Sequence, residues 1–102
     1  TEPPALPWDV APAALVAPVN TSPPSISGTP TAGQVLTASA GVWTNLGGAI
    51  VTAQWLGDGL ALAGETGATL LLGAEHVALT VAYRESAGGI TATSNALGPV
   101  AP

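Results

Sequence analysis

The chain has 102 residues, a formal net charge of −5 and no cysteine. Its length predicts one small domain. A single Arg and no Lys exclude a basic nucleic-acid surface, which must neutralise several phosphates. The acidic balance also argues against binding to anionic membranes. Without cysteine, neither a disulfide nor a thiolate metal site can form.

The low charge content has two interpretations. Only 7% of the residues are charged, against about 25% in an ordinary soluble chain. Surface positions could simply have drifted to small uncharged residues. Alternatively, much of the surface is covered in an assembly, since the centres of protein interfaces are depleted in charge. Both interpretations stay open at the level of composition.

The N-terminal residues 1–24 predict an extended anchoring arm. They hold seven of the ten prolines, which prevent a helix of more than one turn and favour extended backbone. Disordered spacers are usually poor in apolar residues, but this segment is not. The hypothesis is that the arm lies along another subunit and that Trp8 is its main contact; the alternative is a mobile tail. The predicted contact residues are Trp8, Val10, Leu15, Val16 and Val19.

The N-terminus also bears on targeting. It has Glu2 in place of basic residues, and prolines interrupt its apolar runs, so it does not resemble a signal peptide. No run approaches the ~18 apolar residues of a membrane helix. The prediction is therefore a chain that works away from membranes.

From Ser25 onward, short apolar runs alternate with glycine-rich turns, which predicts a domain over residues 25–102. Seven short strands at spacings of roughly 8–12 residues are typical of an antiparallel sandwich. One helical turn is predicted at residues 73–76. The predicted strands are 25–27, 34–40, 50–56, 60–62, 69–72, 77–84 and 90–95.

The central motif is the run Gln54-Trp55-Leu56-Gly57-Asp58-Gly59. It predicts a strand with an inward Trp55 that ends in an Asp-Gly turn of type I′, because both central residues of that turn need positive φ. The clearest alternation, residues 77 to 84, predicts that the odd-numbered side chains point inward. The predicted core residues are Leu36, Trp43, Trp55, Leu79, Val81 and Tyr83.

Residues 24–100 resemble a bacterial and phage family of immunoglobulin-like repeats found in virion proteins and bacterial surface proteins. The residues that carry the resemblance are Gly33-x-x-Leu36, Gly41-x-Trp43, Gln54-Trp55-Leu56-x-Asp58-Gly59, Ala63-Gly64-Glu65-Thr66-Gly67, Leu79-Thr80-Val81 and Ser94-Asn95. The resemblance implies an all-β immunoglobulin-like sandwich of about seven strands. It also implies adhesion, decoration or spacing, and no chemistry.

Enzymatic and metal-binding functions are disfavoured. His76 is the only histidine, and neither Ser86 nor Ser94 lies in a nucleophile-elbow motif. His76 is predicted to be an ordinary loop residue, and no cofactor is expected. The candidate calcium ligands Asp58, Glu65 and Glu75 lack the close spacing that hard cations need. Trp43 and Trp55 are candidates for a sugar-binding platform, but core positions are favoured for both.

Two functions follow from these patterns. The first is a structural virion component on the virion surface, a decoration protein present in multiple copies and attached to capsid subunits, less favourably to tail or neck. The second is a module of an extracellular adhesin that binds a host-surface glycan or protein through its loops. A chain that begins with an attachment segment, and that shows no signal peptide or sortase-type tail, favours the particle component.

Overall fold

The computed structural model describes residues 17–102. The predicted arm residues Trp8, Val10, Leu15 and Val16 lie outside this range. The described residues are all-β, and their only helical element is a single 3-10 turn, Ala74–His76. Their strands are β1 (Val19–Ser22), β2 (Ser25–Ser27), β3 (Val35–Ser39), β4 (Val42–Thr44), β5 (Thr52–Gly57), β6 (Leu60–Ala61), β7 (Thr69–Leu71), β8 (Val81–Ala87) and β9 (Ile90–Thr93).

The strands form three antiparallel sheets. The larger sheet has the order β6-β5-β8-β9, the smaller sheet β2-β3-β7, and β1 pairs with β4 in a two-stranded ribbon. The two main sheets share one hydrophobic core, as expected for a sandwich in which alternate side chains point inward. Core residues from both sheets and from the C-terminal segment are Ile26, Leu36, Trp55, Leu70, Leu72, Val81, Tyr83 and Val100.

Trp55 lies at the centre of this core and is fully buried. Its ring meets Tyr83 edge to face, with the ring centroids 5.0 Å apart, a favourable arrangement for an aromatic pair. Its indole Nε1 donates to the carbonyl of Gly67 at 2.8 Å. Beside it, Gln54 Nε2 donates to the carbonyls of Leu62 and Glu65. These bonds draw residues 62–67 against the edge of β5.

The predicted Asp-Gly turn joins β5 to β6. Asp58 and Gly59 have φ values of 51° and 83°, in agreement with the type I′ prediction. Asp58 Oδ1 also accepts a hydrogen bond from the backbone N–H of Thr80 at 2.9 Å. The motif therefore combines a core anchor, a turn and a link to the chain that leads into β8.

The largest difference from the predicted strands concerns residues 77–84. The 3-10 turn at Ala74–His76 agrees with the predicted helical turn, but Ala78 has a positive φ of 75°, which breaks the alternation. The strand begins only at Val81 and continues to Ala87. Consequently Leu79 precedes the strand, is half-buried and lies outside the hydrophobic core cluster, so its assignment to the core was wrong.

The second difference is the β1–β4 ribbon, which the sequence pattern did not predict. Asn20 of β1 pairs with Trp43 of β4, although residues 19–22 lie within the segment assigned to the arm. The backbone of β1 is thus paired within its own chain. Among the described residues, the fold therefore begins before Ser25.

The chain reaches the sandwich at one end and leaves it at the other. Pro18 lies against the β8–β9 turn, since a Cβ placed on Gly88 would come within 2.9 Å of the Pro18 ring. At the opposite end, Val100 exchanges backbone hydrogen bonds with residues 78 and 79, beside the Asp58 turn. We call these two ends the Gly88 end and the Asp58 end. Strand β8 runs between them and spans ~20 Å at about 3.3 Å per residue.

Candidate interaction surface

A buried carboxylate attaches the β1–β4 ribbon to the sandwich. Glu85 occupies an inward position on β8 and is only 3% exposed. Its Oε1 accepts hydrogen bonds from the backbone N–H of Gly41 and from the indole Nε1 of Trp43, both at 3.0 Å. A buried carboxylate is retained in a core only when its oxygens are hydrogen-bonded. Glu85 therefore fixes the start of β4, and through it the ribbon that follows Pro18.

Trp43 is consequently not a central core residue. It is half-buried, lies outside the main hydrophobic cluster, and directs its indole N–H at Glu85. The other predicted core residues are placed differently: Leu36, Trp55, Val81 and Tyr83 are buried in the shared core. Val19, the one predicted arm contact within the described range, lies on β1 and is exposed.

His76 is not the ordinary loop residue that the sequence suggested. It is buried, and its Nδ1 accepts a hydrogen bond from the backbone N–H of Gly73 at 2.9 Å. Its Nε2 lies 3.9 Å from the carboxylate of the exposed Glu75. The imidazole thus closes the 3-10 turn that connects β7 to β8.

The residues considered for chemistry are not brought together. Ser86 lies near the Gly88 end of β8, whereas His76 belongs to the turn at the Asp58 end. Ser94 Oγ accepts from the backbone N–H of Tyr83. Asp58, Glu65 and Glu75 do not form a group, and residues 17–102 contain no cluster of three or more potential metal ligands. The same range contains no helix long and apolar enough to cross a membrane.

The described surface is poor in free charge. Of its acids, Glu85 is buried and Asp58 is bonded to the backbone of Thr80. The single Arg84 is half-buried on β8, and its Nε is enclosed without a hydrogen-bond partner among the described residues. Glu65 is half-buried, so within residues 17–102 Glu75 is the one strongly exposed acidic side chain outside the Asp58 turn.

Aliphatic side chains are exposed on several parts of this surface. Val19 and Val42 lie on the β1–β4 ribbon, and Ile50 precedes β5. Val35 and Leu71 are paired across β3 and β7 on the outer face of the smaller sheet. Exposed aliphatic residues are individually common on protein surfaces, but here few charges lie between them. The full set is Val19, Val35, Val42, Ile50, Leu60, Leu71 and Ile90.

Comparisons with known proteins give no relative: no family model, no curated protein and no solved structure matches the chain. The candidate surface therefore rests on its own geometry. Sequence reasoning missed two of its features, the Glu85 bonds and the β1–β4 ribbon. The signal for Glu85 was present, because residues 81, 83, 85 and 87 continue one inward alternation along β8.

Proposed function

We propose that the chain is a non-enzymatic structural component of a phage or phage-like virion. In this proposal it is an immunoglobulin-like decoration protein of the capsid, present in multiple copies on the virion surface. The strand order supports the immunoglobulin-like class: a three-stranded sheet faces a four-stranded sheet, and the central Trp lies on β5. In immunoglobulin domains, the buried Trp occupies the corresponding third strand of the sandwich.

The observation that carries this proposal is the composition of the surface. Among the described residues, two of the few charged groups, Glu85 and Asp58, accept hydrogen bonds that hold the fold together, whereas seven large aliphatic side chains are exposed. Such a surface loses little hydration energy when other subunits cover it, because charged groups are the costly ones to desolvate. It is better suited to permanent contact with neighbouring subunits than to binding a charged substrate.

The arm is proposed as the attachment element. The chain reaches the sandwich at the Gly88 end through Pro18, so anchoring residues upstream of Pro18 would hold the Asp58 end away from the capsid. In this proposal, the apolar contacts of the arm are made by Trp8, Val10, Leu15 and Val16. Val19, on β1, adds a further apolar side chain to this set. Repetition of the contact by particle symmetry raises the overall strength of attachment.

Co-sedimentation with particles assembled without this protein tests the proposal. The full chain should bind, and Trp8→Ala should weaken binding by about 2 kcal/mol or more, which is roughly 30-fold, if Trp8 fills a pocket. Leu60→Ala, which alters an exposed residue of the sandwich, serves as the matched control and should bind normally. The deletion must stop at residue 16, because β1 is part of the fold.

A chain that lacks residues 1–16 should keep a cooperative thermal unfolding transition and lose attachment. If this shortened chain instead occupies the particles as fully as the complete one, attachment lies on the sandwich and the arm proposal is wrong. Failure of the full chain to bind any such particle would contradict the virion proposal itself.

The second candidate function is a module of an extracellular adhesin. The position of Pro18 and Ala101 at opposite ends favours it, because modules joined in series need their connections at opposite ends. In that case the loops would recognise a host-surface glycan or protein. Binding of the purified full chain to host cells without particles would favour this function over decoration.

A further inference from the structure

Strand β7 presents an open edge of the smaller sheet. Its ladder with β3 includes bonds from Leu72 N–H to the Gln34 carbonyl at 2.9 Å and from Ala38 N–H to the Ala68 carbonyl at 2.8 Å. Because hydrogen-bonded residues alternate along an antiparallel pair, Thr69 and Leu71 direct their N–H and C=O groups away from β3. Neither backbone is bonded to another residue within the described part of the chain.

Exposed apolar side chains accompany this edge. Leu71 is 65% exposed and lies directly opposite Val35, which is 48% exposed, on the outer face of the sheet. Of the other edge strands of the two main sheets, β2 and β9 are better protected. Asn95 bonds both the N–H and the carbonyl of Ile26 on β2, and β1 lies alongside β9. The edge of β7 is therefore the most favourable place on the smaller sheet for an added strand.

We propose that this edge binds an extended segment of a second copy of the same chain, residues 13–17. An added strand needs backbone N–H groups at alternate positions, and proline cannot supply them. Upstream of Pro18, residues 13–17 form the longest run without proline, Ala-Ala-Leu-Val-Ala, and the run has no charge. Leu15 and Val16 are adjacent, so either register places one of them beside Leu71 and Val35.

The length of the segment requires a second copy. Leu15 is three residues from Pro18 and can reach only ~10 Å from it. Pro18 lies at the Gly88 end beside β8–β9, whereas Leu71 lies at the Asp58 end on the side of β5–β6. Pro18 and Leu71 are therefore about three strand spacings apart across the sheets and about one strand length apart along them. Together these give a separation of roughly 24 Å. Residues 13–17 therefore cannot pair with β7 of their own chain.

Pairing in this way joins the Gly88 end of one copy to the Asp58 end of the next. The contact is heterologous, so repetition gives a ring or an open row of copies. The inference deepens the proposed function, because it assigns the proximal part of the arm to a neighbouring copy and leaves Trp8 for the capsid. The inference rests on the proposed function only in locating the paired copies on a virion. The pairing itself is tested with the purified chain, in the absence of particles.

The experiment measures self-association of the purified full chain by sedimentation velocity up to about 1 mM, a range relevant to subunits held close together. Amide hydrogen exchange is followed in the same samples. The expected result is concentration-dependent association, with protection of the Thr69 and Leu71 amides that increases with concentration. Leu71→Arg and Leu15→Pro should each weaken association at least tenfold. Leu60→Arg, a change on a similarly exposed leucine of β6, should leave the association intact.

Three outcomes would overturn the inference: a monomer over the whole concentration range, association that survives Leu71→Arg and Leu15→Pro, or association without protection at β7. A cooperative thermal unfolding transition in each variant establishes that the substituted chains are folded. Because these measurements contain no particle, their result is independent of co-sedimentation. Self-association with no particle binding would contradict the proposed function alone, and particle binding by a strict monomer would contradict this inference alone.

Discussion

Trp55 is the residue on which the stability of the sandwich depends most. It is fully buried, touches Tyr83, and is bonded through Nε1 to the chain that precedes β7. We expect Trp55→Ala to lower the free energy of unfolding by about 3–5 kcal/mol, a large fraction of the total for a small domain. Chemical denaturation of the full chain measures this. Ile50→Ala, at a position 79% exposed, is the control and should change stability little.

We expect Tyr83 to make the stability of the protein depend on pH in the alkaline range. Burial, with a smaller contribution from the Glu85 carboxylate, raises the pKa of the Tyr83 hydroxyl above its ordinary value of 10.0. The folded state therefore holds the proton more tightly than the unfolded chain. The contribution of the Tyr83 hydroxyl to the free energy of unfolding is fully present below pH ~10. It is lost as the pH rises through the pKa that this hydroxyl has in the folded state.

The measurement is the free energy of unfolding of the full chain and of Tyr83→Phe between neutral pH and about pH 11. Tyr83 is the only Tyr, and the chain has no Lys or Cys, so few other groups titrate in this range. The wild-type value should fall on the alkaline side, and the Phe variant should vary less. Identical pH profiles would contradict the assignment to Tyr83.

At the scale of elements, the prediction concerns how β4 is held. Glu85→Ala leaves the Gly41 N–H and the Trp43 indole N–H without their acceptor, and each unsatisfied buried donor costs about 1–3 kcal/mol. Glu85→Gln keeps an acceptor oxygen and should be destabilised less. Faster hydrogen exchange at the Gly41 amide in the Ala variant would show that the loss is local to the ribbon.

Glu75→Gln is the matched control, because Glu75 is an exposed acid of the same chemistry. It should leave both stability and the Gly41 exchange rate unchanged. If Glu85→Ala also leaves them unchanged, the ribbon is held by β1 pairing alone.

The elements differ in how far sequence reasoning could place them. Strand β5 and its turn were predictable, since Trp55, Asp58 and Gly59 each have a local conformational requirement. The β1–β4 ribbon was not, because its strands have three or four residues, show no alternation, and depend on a long-range bond to Glu85. In the segment before β8, apolar and other residues do alternate in the sequence. The positive φ of Ala78 nevertheless interrupts the extended backbone there, so the strand begins later than the pattern predicts.

The candidate surface was harder to foresee than the core. The pattern of apolar residues identifies inward positions, but it cannot show which backbone edges remain unpaired. The open edge at Thr69 and Leu71 is a consequence of sheet order, which depends on pairing between distant segments. Likewise, the burial of Glu85 depends on its hydrogen bonds to Gly41 and Trp43, which are more than 40 residues away in sequence.

At the scale of the whole molecule, we expect stability to be independent of metal ions. Residues 17–102 contain no group of three or more potential ligands, and hard cations need several oxygen ligands close together. Thermal unfolding of the full chain with and without a strong chelator should give the same midpoint. A decrease on chelation that calcium reverses would identify a site and contradict this expectation.

The opposite positions of Pro18 and Ala101 have a practical consequence for presenting other proteins. A cargo fused after Pro102 would emerge beside the Asp58 turn, at least one strand length, or ~20 Å, from the end at which the chain reaches the sandwich. The sandwich would then act as a rigid spacer between an anchored segment and the cargo. Fusion at the C-terminus should consequently interfere less with anchoring than an insertion into the β8–β9 turn, where Pro18 contacts Gly88.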